Sequence, residues 1–223
     1  MPKTICVLIP SYNESKTIGH LVKELRARDF TVYVVDDGST DDTAKIAEAD
    51  GAVVVRHKRN KGKGASLREG FAHILKKGFE AVIVMDGDGQ HHVSDINNFM
   101  DKMSQTSADI VIGNRMQDVS TMPPARIRTN RFMSRLISLV AGCDVPDTQS
   151  GFRLIKRSVL EKLKFKSSNY EIESEMIIRA ARAGFRIESV PIKTIYQDEV
   201  SRIDPFMDTL RFIWFIFKAI FYR

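Results

Sequence analysis

The sequence predicts an α/β protein with a mostly parallel sheet flanked by helices. Short runs that are apolar throughout alternate with longer segments whose apolar residues recur at helical spacing, as at Ile18, Leu21, Val22 and Leu25. Strands that are apolar on both faces indicate a sheet covered on both sides, which is typical of parallel sheets. The 223 residues are enough for one large domain or for a domain with a subdomain.

The predicted elements alternate regularly through the first half of the chain. The predicted strands are TICVLIP, TVYVVD, AVVVR, AVIVMD and ADIVIG. The helices between them are SKTIGHLVKELRAR, STDDTAKIAEAD, GASLREGFAHILKKG and SDINNFMDKMSQ. After Gly113 the pattern is less regular. There MQDVSTMPPARIR is predicted as a loop, CDVPDTQSGFR as a turn-rich segment, NRFMSRLISLVAG and EIESEMIIRAARAG as helices, and IESVPIKTI as a strand.

Charge and composition narrow the classes of partner. The net charge is +6, and basic residues cluster at Arg56–Gly64 and Arg126–Arg135. Such clusters suit nucleotides, lipid phosphates, membrane surfaces or nucleic acid, or form a solvated basic face. No RNP-type aromatic motif or helix-turn-helix signature is present, which argues against nucleic acid. Cys6 and Cys143 form no CxxC pattern and are expected to be buried thiols in a reducing cytosol. No secretory signal is visible, because the N-terminus leads directly into a strand.

The last segment, PFMDTLRFIWFIFKAIFYR, is predicted to form an amphipathic helix on a membrane surface. It is rich in Phe and Ile and contains Trp214, but Asp208, Arg211 and Lys218 interrupt it. A bilayer crossing needs about 20 mostly apolar residues, so this segment is too short and too charged to span. A core helix or a dimer-interface helix is the alternative.

Polar residues follow four of the predicted strands, in PSYNE, DDGSTDD, NKGKG and DGDGQ. In an open parallel sheet, ligands bind beyond the carboxyl ends of the strands. Asp86 and Asp88 repel each other unless a cation lies between them, and Mg²⁺ or Mn²⁺ prefers such oxygen ligands together with phosphate oxygens. The sequence has neither a full P-loop nor GxGxxG after the first strand. It therefore predicts a metal and diphosphate site at this edge.

The motifs PSYNE, VVDDGSTDDT, NKGKGASLREGF, DGDGQH, GNR and DTQSGFR occur in this order. Together they resemble the family 2 glycosyltransferases of the GT-A (Rossmann-like) fold, especially the dolichol- or polyprenyl-phosphate mannosyl- and glucosyltransferases. The resemblance extends from Ile9 to about Arg202. It implies one catalytic domain over 1–204, with a nucleotide-sugar half (1–115) and an acceptor half (116–204), before a membrane-surface helix at 205–223.

The resemblance also implies the reaction. A hexose would pass, with inversion, from GDP-mannose or UDP-glucose to a polyprenyl or dolichyl phosphate. The enzyme would use Mg²⁺ or Mn²⁺ and would be peripheral on the cytoplasmic face of the membrane.

Roles carry over residue by residue. The implied nucleotide-binding residues are Pro10, Tyr12, Asn13, Glu14, Asp37, Gly38, Lys63 and Asp86. The implied metal ligands are Asp86, Asp88 and Gln90. The implied acceptor-phosphate residues are Arg115, Arg131, Ser150, Arg153, Ser201 and Arg202. The implied catalytic residues are Asp88, Arg115, Arg131 and Glu173. His91 and His92 are weaker candidate metal ligands, since an ordinary role at the start of a helix is favoured.

The acceptor decides whether a protein base is needed. A lipid phosphate monoester is largely dianionic at pH 7, so it needs positioning cations rather than a base. A hydroxyl acceptor needs a carboxylate base, and Glu173 lies near the position where relatives with soluble acceptors carry their catalytic aspartate. Glu173 is alternatively a polar helix residue or one paired with an arginine. A non-catalytic nucleotide-sugar-binding protein is a further alternative.

Overall fold

A computed structural model describes residues 4–120, 122–193, 211–217 and 219 of the chain. The strands are β1 (Ile5–Ser11), β2 (Thr31–Asp36), β3 (Val53–Arg56), β4 (Ala81–Val84), β5 (Ile110–Asn114), β6 (Arg153–Lys156) and β7 (Ile187–Pro191). The helices are α1 (Ile18–Ala27), α2 (Thr43–Ala49), α3 (Lys63–Ile74), α4 (Ile96–Thr106), α5 (Pro124–Ala141), α6 (Arg157–Lys162) and α7 (Glu171–Arg182). A 3₁₀ turn at Val93–Asp95 precedes α4, and residues 211–217 and 219 are helical.

The strands form one sheet in the order β3-β2-β1-β4-β6-β5-β7. Every pairing is parallel except those of β6, which runs antiparallel to both β4 and β5. Strands β1, β2 and β4 therefore end at the same edge of the sheet. The prediction of a mostly parallel sheet between helices is confirmed.

Hydrophobic cores cover both faces of this sheet. Leu8 packs with Phe71, Ile137 and other residues on one face, whereas its neighbour Ile9 belongs to the cluster on the other face. Side chains alternate across a strand, so a strand buried on both faces is apolar at every position. This explains the continuous apolar runs in the sequence.

The structure differs from the predicted elements most clearly at the start of α5 and at β6. Helix α5 begins at Pro124, although the sequence predicted a loop as far as Arg128. Proline is well suited to the first position of a helix, so the Pro123–Pro124 pair starts the helix there instead of continuing a loop. Strand β6 was not predicted, because it has four residues and directly follows the turn-rich segment that was predicted to end at Arg153.

The described part of the C-terminal segment is an amphipathic helix, as predicted. Ile216 is buried in the core, and Phe212 and Phe215 pack beside it, whereas Trp214 and Phe217 remain exposed. No described helix is both long enough and apolar enough to cross a bilayer.

Candidate active site

Hydrogen bonds connect the loops that follow β1, β2 and β4. The backbone N–H of Asn13 donates to Ser39 Oγ (2.9 Å), and Asn13 Oδ1 accepts from the backbone N–H of Thr40 (2.8 Å). Thr17 Oγ1 donates to the carbonyl of Gly87 (2.6 Å). The motifs that the sequence placed at separate strand ends therefore meet at one edge.

Lys63 lies at the centre of this edge. Its Nζ is 2.6 Å from Asp86 Oδ1 and 2.6 Å from Glu173 Oε1. Burial alone would lower the pKa of Lys63, but the attraction of the two carboxylates raises that pKa above its ordinary value. Burial likewise opposes ionisation of Asp86, yet Lys63 and His91 hold the pKa of Asp86 well below its usual range. The three side chains thus form an ionised cluster, carboxylate–ammonium–carboxylate.

Small and polar residues surround Asp86. A Cβ atom at Gly151 would lie 2.4 Å from Asp86 Oδ2, so only glycine lets the carboxylate occupy this position. His91 Nε2 lies 3.8 Å from the same oxygen. The hydroxyls of Ser11 and Ser150 are buried and make no hydrogen bond to the described residues. The site therefore keeps unused polar atoms, which favours a polar ligand.

The carboxylate oxygens of Asp86 and Asp88 suit a hard cation, but a bound ligand would have to supply further oxygen atoms to complete the coordination. Asp88 is partly exposed, and its Oδ1 accepts from the backbone N–H of Gln90 (3.0 Å). The described residues contain no group of three or more His, Cys, Asp or Glu side chains placed to hold a metal. Mg²⁺ is commonly held by one or two carboxylates plus substrate phosphate oxygens. Asp86 and Asp88 fit that pattern, and the ammonium of Lys63 is the protein's own cation beside Asp86.

Asp37 organises the loop that leads to Lys63. Its Oδ1 accepts from the backbone N–H of Lys61 (2.8 Å) and from His57 Nδ1 (2.6 Å), and its Oδ2 accepts from the backbone N–H of Gly62 (2.8 Å). Gly62 has a φ of 95°, and a Cβ there would lie 2.3 Å from the carbonyl oxygen of Ser168. The NKGKG loop is thus fixed by one carboxylate and by close backbone packing.

Sequence reasoning missed His57, which is buried between two acids. Its Nε2 lies 2.8 Å from Glu69 Oε2, opposite the contact with Asp37. Both ring nitrogens of His57 therefore contact carboxylate oxygens, and the imidazole links the Asp37 loop to α3. His57 and Lys61 lower the pKa of Glu69, although burial opposes this. The available signal was a lone histidine one residue after β3, which is too weak to identify a residue by itself.

Gly38 allows a tight turn after β2. It has a φ of 76°, and a Cβ would lie 2.6 Å from the backbone of Arg59. The other predicted nucleotide-binding residues lie on or just beyond β1: Pro10 is buried in the strand, and Tyr12, Asn13 and Glu14 are partly exposed after it. Their roles toward a nucleotide stay predictions.

Arg115 is held beside the other end of the site. Its Nε and Nη2 donate to the buried carboxylate of Asp147 at 2.7 and 2.9 Å. The next residue, Thr148, donates its backbone N–H to Ser134 Oγ of α5 (3.0 Å). Arg131 is exposed on α5, and its role toward an acceptor phosphate stays a prediction. A phosphate bound by Arg115 would share this guanidinium with Asp147.

The burial and contacts of Arg153 argue against the prediction that it binds the acceptor phosphate. The side chain is fully buried, and its guanidinium donates to the carbonyls of Ser150 (2.9 Å), Thr148 (2.9 Å) and Glu173 (2.7 Å). These bonds use the guanidinium to hold the 148–150 loop against α7. Arg153 is therefore a positioning residue. The two remaining acceptor candidates, Ser201 and Arg202, lie outside the described residues.

Polar strand ends around Lys63 and its two acids, on a mostly parallel sheet, form the kind of edge at which α/β proteins bind their ligands. Residues 6–164 match the model of the family described as Glycosyl transferase family 2, and the chain belongs to that family.

Two similar proteins act on lipid phosphates by their names. The chain is 31% identical over 219 residues to the UDP-N-acetylglucosamine–dolichyl-phosphate N-acetylglucosaminyltransferase of Methanococcus voltae. The match covers 88% of this chain and 87% of that protein. It is 30% identical over 200 residues to the polyprenol monophosphomannose synthase of Mycolicibacterium smegmatis, covering 83% and 75%. The chain therefore resembles polyprenyl-phosphate sugar transferases.

A solved structure confirms the fold. The glucosyl-3-phosphoglycerate synthase of Mycobacterium tuberculosis, in complex with Mn²⁺, UDP and phosphoglyceric acid, superposes with a TM-score of 0.73 at 22% identity, covering 97% of this chain and 77% of that one. The same enzyme has been crystallised with Mg²⁺ and UDP.

Proposed function

We propose that this protein is a metal-dependent, inverting glycosyltransferase that moves a hexose from a nucleoside-diphosphate sugar to a polyprenyl or dolichyl phosphate. Residues 1–204 would be the catalytic domain, with the donor half at 1–115 and the acceptor half at 116–204. Residues 205–223 would hold the enzyme on the cytoplasmic face of a membrane. The named relatives that act on dolichyl or polyprenyl phosphates support the acceptor class.

One observation carries the choice of acceptor. Glu173, the candidate base for a hydroxyl acceptor, is in an ion pair with Lys63 at 2.6 Å and is buried on α7. Its Oε1 already accepts a hydrogen bond from Lys63 Nζ, so this oxygen is not free to take a proton from an acceptor hydroxyl. A phosphate acceptor needs no such base, since its oxygen is already anionic at pH 7.

The proposed reaction is a single displacement. An oxygen of the acceptor phosphate forms a bond to the anomeric carbon, while the bond from that carbon to the donor's diphosphate breaks and the nucleoside diphosphate leaves. When bound, Mg²⁺ or Mn²⁺ stabilises the negative charge on the leaving group. Asp86 and Asp88 would hold the ion, with Gln90 near it.

The chain's own groups supply the remaining charge. Lys63 is placed by Asp37 through the NKGKG backbone and is the nearest cation to Asp86. It would contact the diphosphate and Glu173 would keep it in place. Arg115, backed by Asp147, would orient the acceptor phosphate through bidentate hydrogen bonds.

A donor and acceptor screen tests this proposal. Radiolabelled GDP-mannose, UDP-glucose and UDP-N-acetylglucosamine are each offered with a polyprenyl phosphate or with phosphoglyceric acid, with and without EDTA. We expect label in the lipid product from one donor, loss of transfer in EDTA, and an inverted anomeric centre by NMR. Full-rate transfer in EDTA would refute the metal site.

The Glu173→Gln variant separates the two acceptor classes. Glutamine keeps the size of the side chain and still accepts from Lys63, so we expect lipid transfer to fall less than tenfold, against the 10²–10⁴-fold loss that removal of a general base causes. Asp88→Asn is the matched site variant and should abolish transfer. Collapse of activity in Glu173→Gln, together with transfer to a hydroxyl, would identify Glu173 as a base.

A further inference from the structure

Helix α5 presents an unusual outer face. Phe132 is 67% exposed and Leu139 is 81% exposed, and no other large apolar residue in the described structure is as exposed as Leu139. Arg128, Phe132, Arg135 and Leu139 follow one another at i, i+4, i+7 and i+11, which places them on one stripe of the helix. Two apolar side chains therefore alternate with two cations on the side away from the core.

The inner face of α5 is packed against the rest of the protein. Ser134, Ile137 and Ala141 are buried, and Ser138 Oγ accepts from the backbone N–H of Val145 (3.0 Å). The exposure of Phe132 and Leu139 is thus not a consequence of a loosely packed helix. The stripe is an additional surface on a helix that is already anchored.

The charge on α5 has one sign. The helix contains Arg126, Arg128, Arg131 and Arg135, all exposed, and no acidic residue. Within the described residues, none of these four arginines takes part in an ion pair. A helix with exposed apolar side chains between unpaired cations has the composition of an interfacial helix that binds anionic lipid.

We infer that the outer stripe of α5 is a membrane-docking surface that binds anionic lipid headgroups with its arginines and inserts Phe132 and Leu139 among the acyl chains. The inference deepens the proposed function and rests on it for the need to meet a lipid acceptor. It adds to the C-terminal segment a second contact, within the catalytic domain itself.

Charge favours a membrane over a second copy of this chain. Two α5 stripes packed face to face in a symmetric dimer would bring arginines against arginines, and like charges across an interface are unfavourable. An anionic bilayer instead supplies opposite charge to the arginines of the stripe, Arg128 and Arg135. The described C-terminal helix also exposes an aromatic pair, Trp214 stacked on Phe217 with ring centroids 5.8 Å apart, and tryptophan favours the membrane–water interface.

Docking through α5 would orient the acceptor half. The helix is bonded through Ser134 to Thr148, next to Asp147, which holds Arg115. A bilayer bound to the outer face of α5 is therefore connected by two hydrogen-bonded steps to the arginine proposed to receive the lipid phosphate.

Vesicle binding tests the inference without the reaction. The full chain is mixed with phosphatidylcholine vesicles, with and without phosphatidylglycerol, that contain neither polyprenyl phosphate nor donor. We expect binding that needs phosphatidylglycerol and weakens with salt. Because a basic residue near an anionic surface contributes about a fivefold change in partitioning, Arg128→Gln/Arg135→Gln should bind about 25-fold more weakly.

Phe132→Ser/Leu139→Ser should weaken binding at least tenfold, because it removes the apolar area that would insert. The controls are Val53→Ser, an exposed apolar residue on β3, and Lys45→Gln/Lys76→Gln, two exposed lysines elsewhere. These should change binding less than twofold. Circular dichroism and nucleotide-sugar affinity show whether each variant is folded.

Two results would overturn the inference. One is equal binding to vesicles by the wild type and both α5 variants. The other is a concentration-dependent dimer that Phe132→Ser/Leu139→Ser abolishes, together with no binding of the wild type to vesicles. If the α5 variants fold poorly, carbene footprinting of the wild-type chain decides, since vesicles must protect Phe132 and Leu139. Vesicle binding through α5 without any sugar transfer would contradict the proposed function alone.

Discussion

Replacing Lys63 with methionine should destabilise the protein strongly, because one ammonium neutralises two acids. The side chain of Lys63 is 15% exposed, and those of its partners Asp86 and Glu173 are 25% and 8% exposed. Removing one partner of a buried ion pair costs about 3–5 kcal/mol, since the other charge stays buried. The partial exposure of Asp86 places the expected loss at the lower end, about 3 kcal/mol.

The pKa shifts of Asp86 and Lys63 determine how the stability of the protein depends on pH. In the wild type, Asp86 has a lowered pKa, so its contribution is complete above the ordinary value of 3.8 and is lost as pH falls through the folded pKa. Lys63 has a raised pKa, so its contribution is complete below 10.5 and is lost as pH rises through the folded pKa. The pair therefore adds no slope to stability between about pH 5 and 9.

Lys63→Met should reverse this behaviour on the acid side. Two carboxylates close together without a cation have raised pKa values and take up a proton in the folded state. The stability of the variant should then rise as pH falls from 7 to 5, so that its deficit against the wild type shrinks.

Urea unfolding followed by circular dichroism measures both effects, in EDTA and without donor, because ligands that bind only the folded state raise apparent stability. Lys61→Met is the matched control. Lys61 lies two residues away, is 47% exposed and approaches Glu69 at 3.5 Å, so its loss should cost less than about 1 kcal/mol. A loss below 1 kcal/mol in Lys63→Met, with no slope between pH 5 and 7, would refute the assignment of Lys63 as the neutralising cation.

Two further substitutions probe the shape and the support of the site. Gly151→Ala should reduce transfer at least tenfold by displacing Asp86, since its Cβ would lie 2.4 Å from Oδ2, whereas Gly78→Ala, which has no neighbour within 4 Å, should be unchanged in the same assay. His57→Phe should leave Asp37 without its imidazole donor and lower the free energy of unfolding by about 1–3 kcal/mol. It should also raise the KM for donor more than it lowers kcat, and an unchanged KM would show that His57 is only structural.

The sequence was most informative where one physical requirement controls each position. Strands buried on both faces must be apolar throughout, so the five strands of the first half could be recognised by inspection. Strand β6 gave no such signal. It begins with Arg153, the last residue of the segment predicted to be turn-rich. The guanidinium is buried because the carbonyls of Ser150, Thr148 and Glu173 accept its hydrogen bonds.

The residues of the site likewise differ in how far the sequence reveals them. Asp86 and Asp88 are visible in the sequence because two acids with one glycine between them need a reason to be close. The ion pair between Lys63 and Glu173 is not visible, since 110 residues separate the partners and only the approach of α3 to α7 brings them together. That pair changes the chemistry expected of the site. A glutamate that would be a plausible base in isolation becomes the support of a lysine, and an acceptor that carries its own negative charge becomes the simpler partner. The choice between lipid phosphate and hydroxyl acceptors thus depends on a contact that spacing along the chain does not reveal.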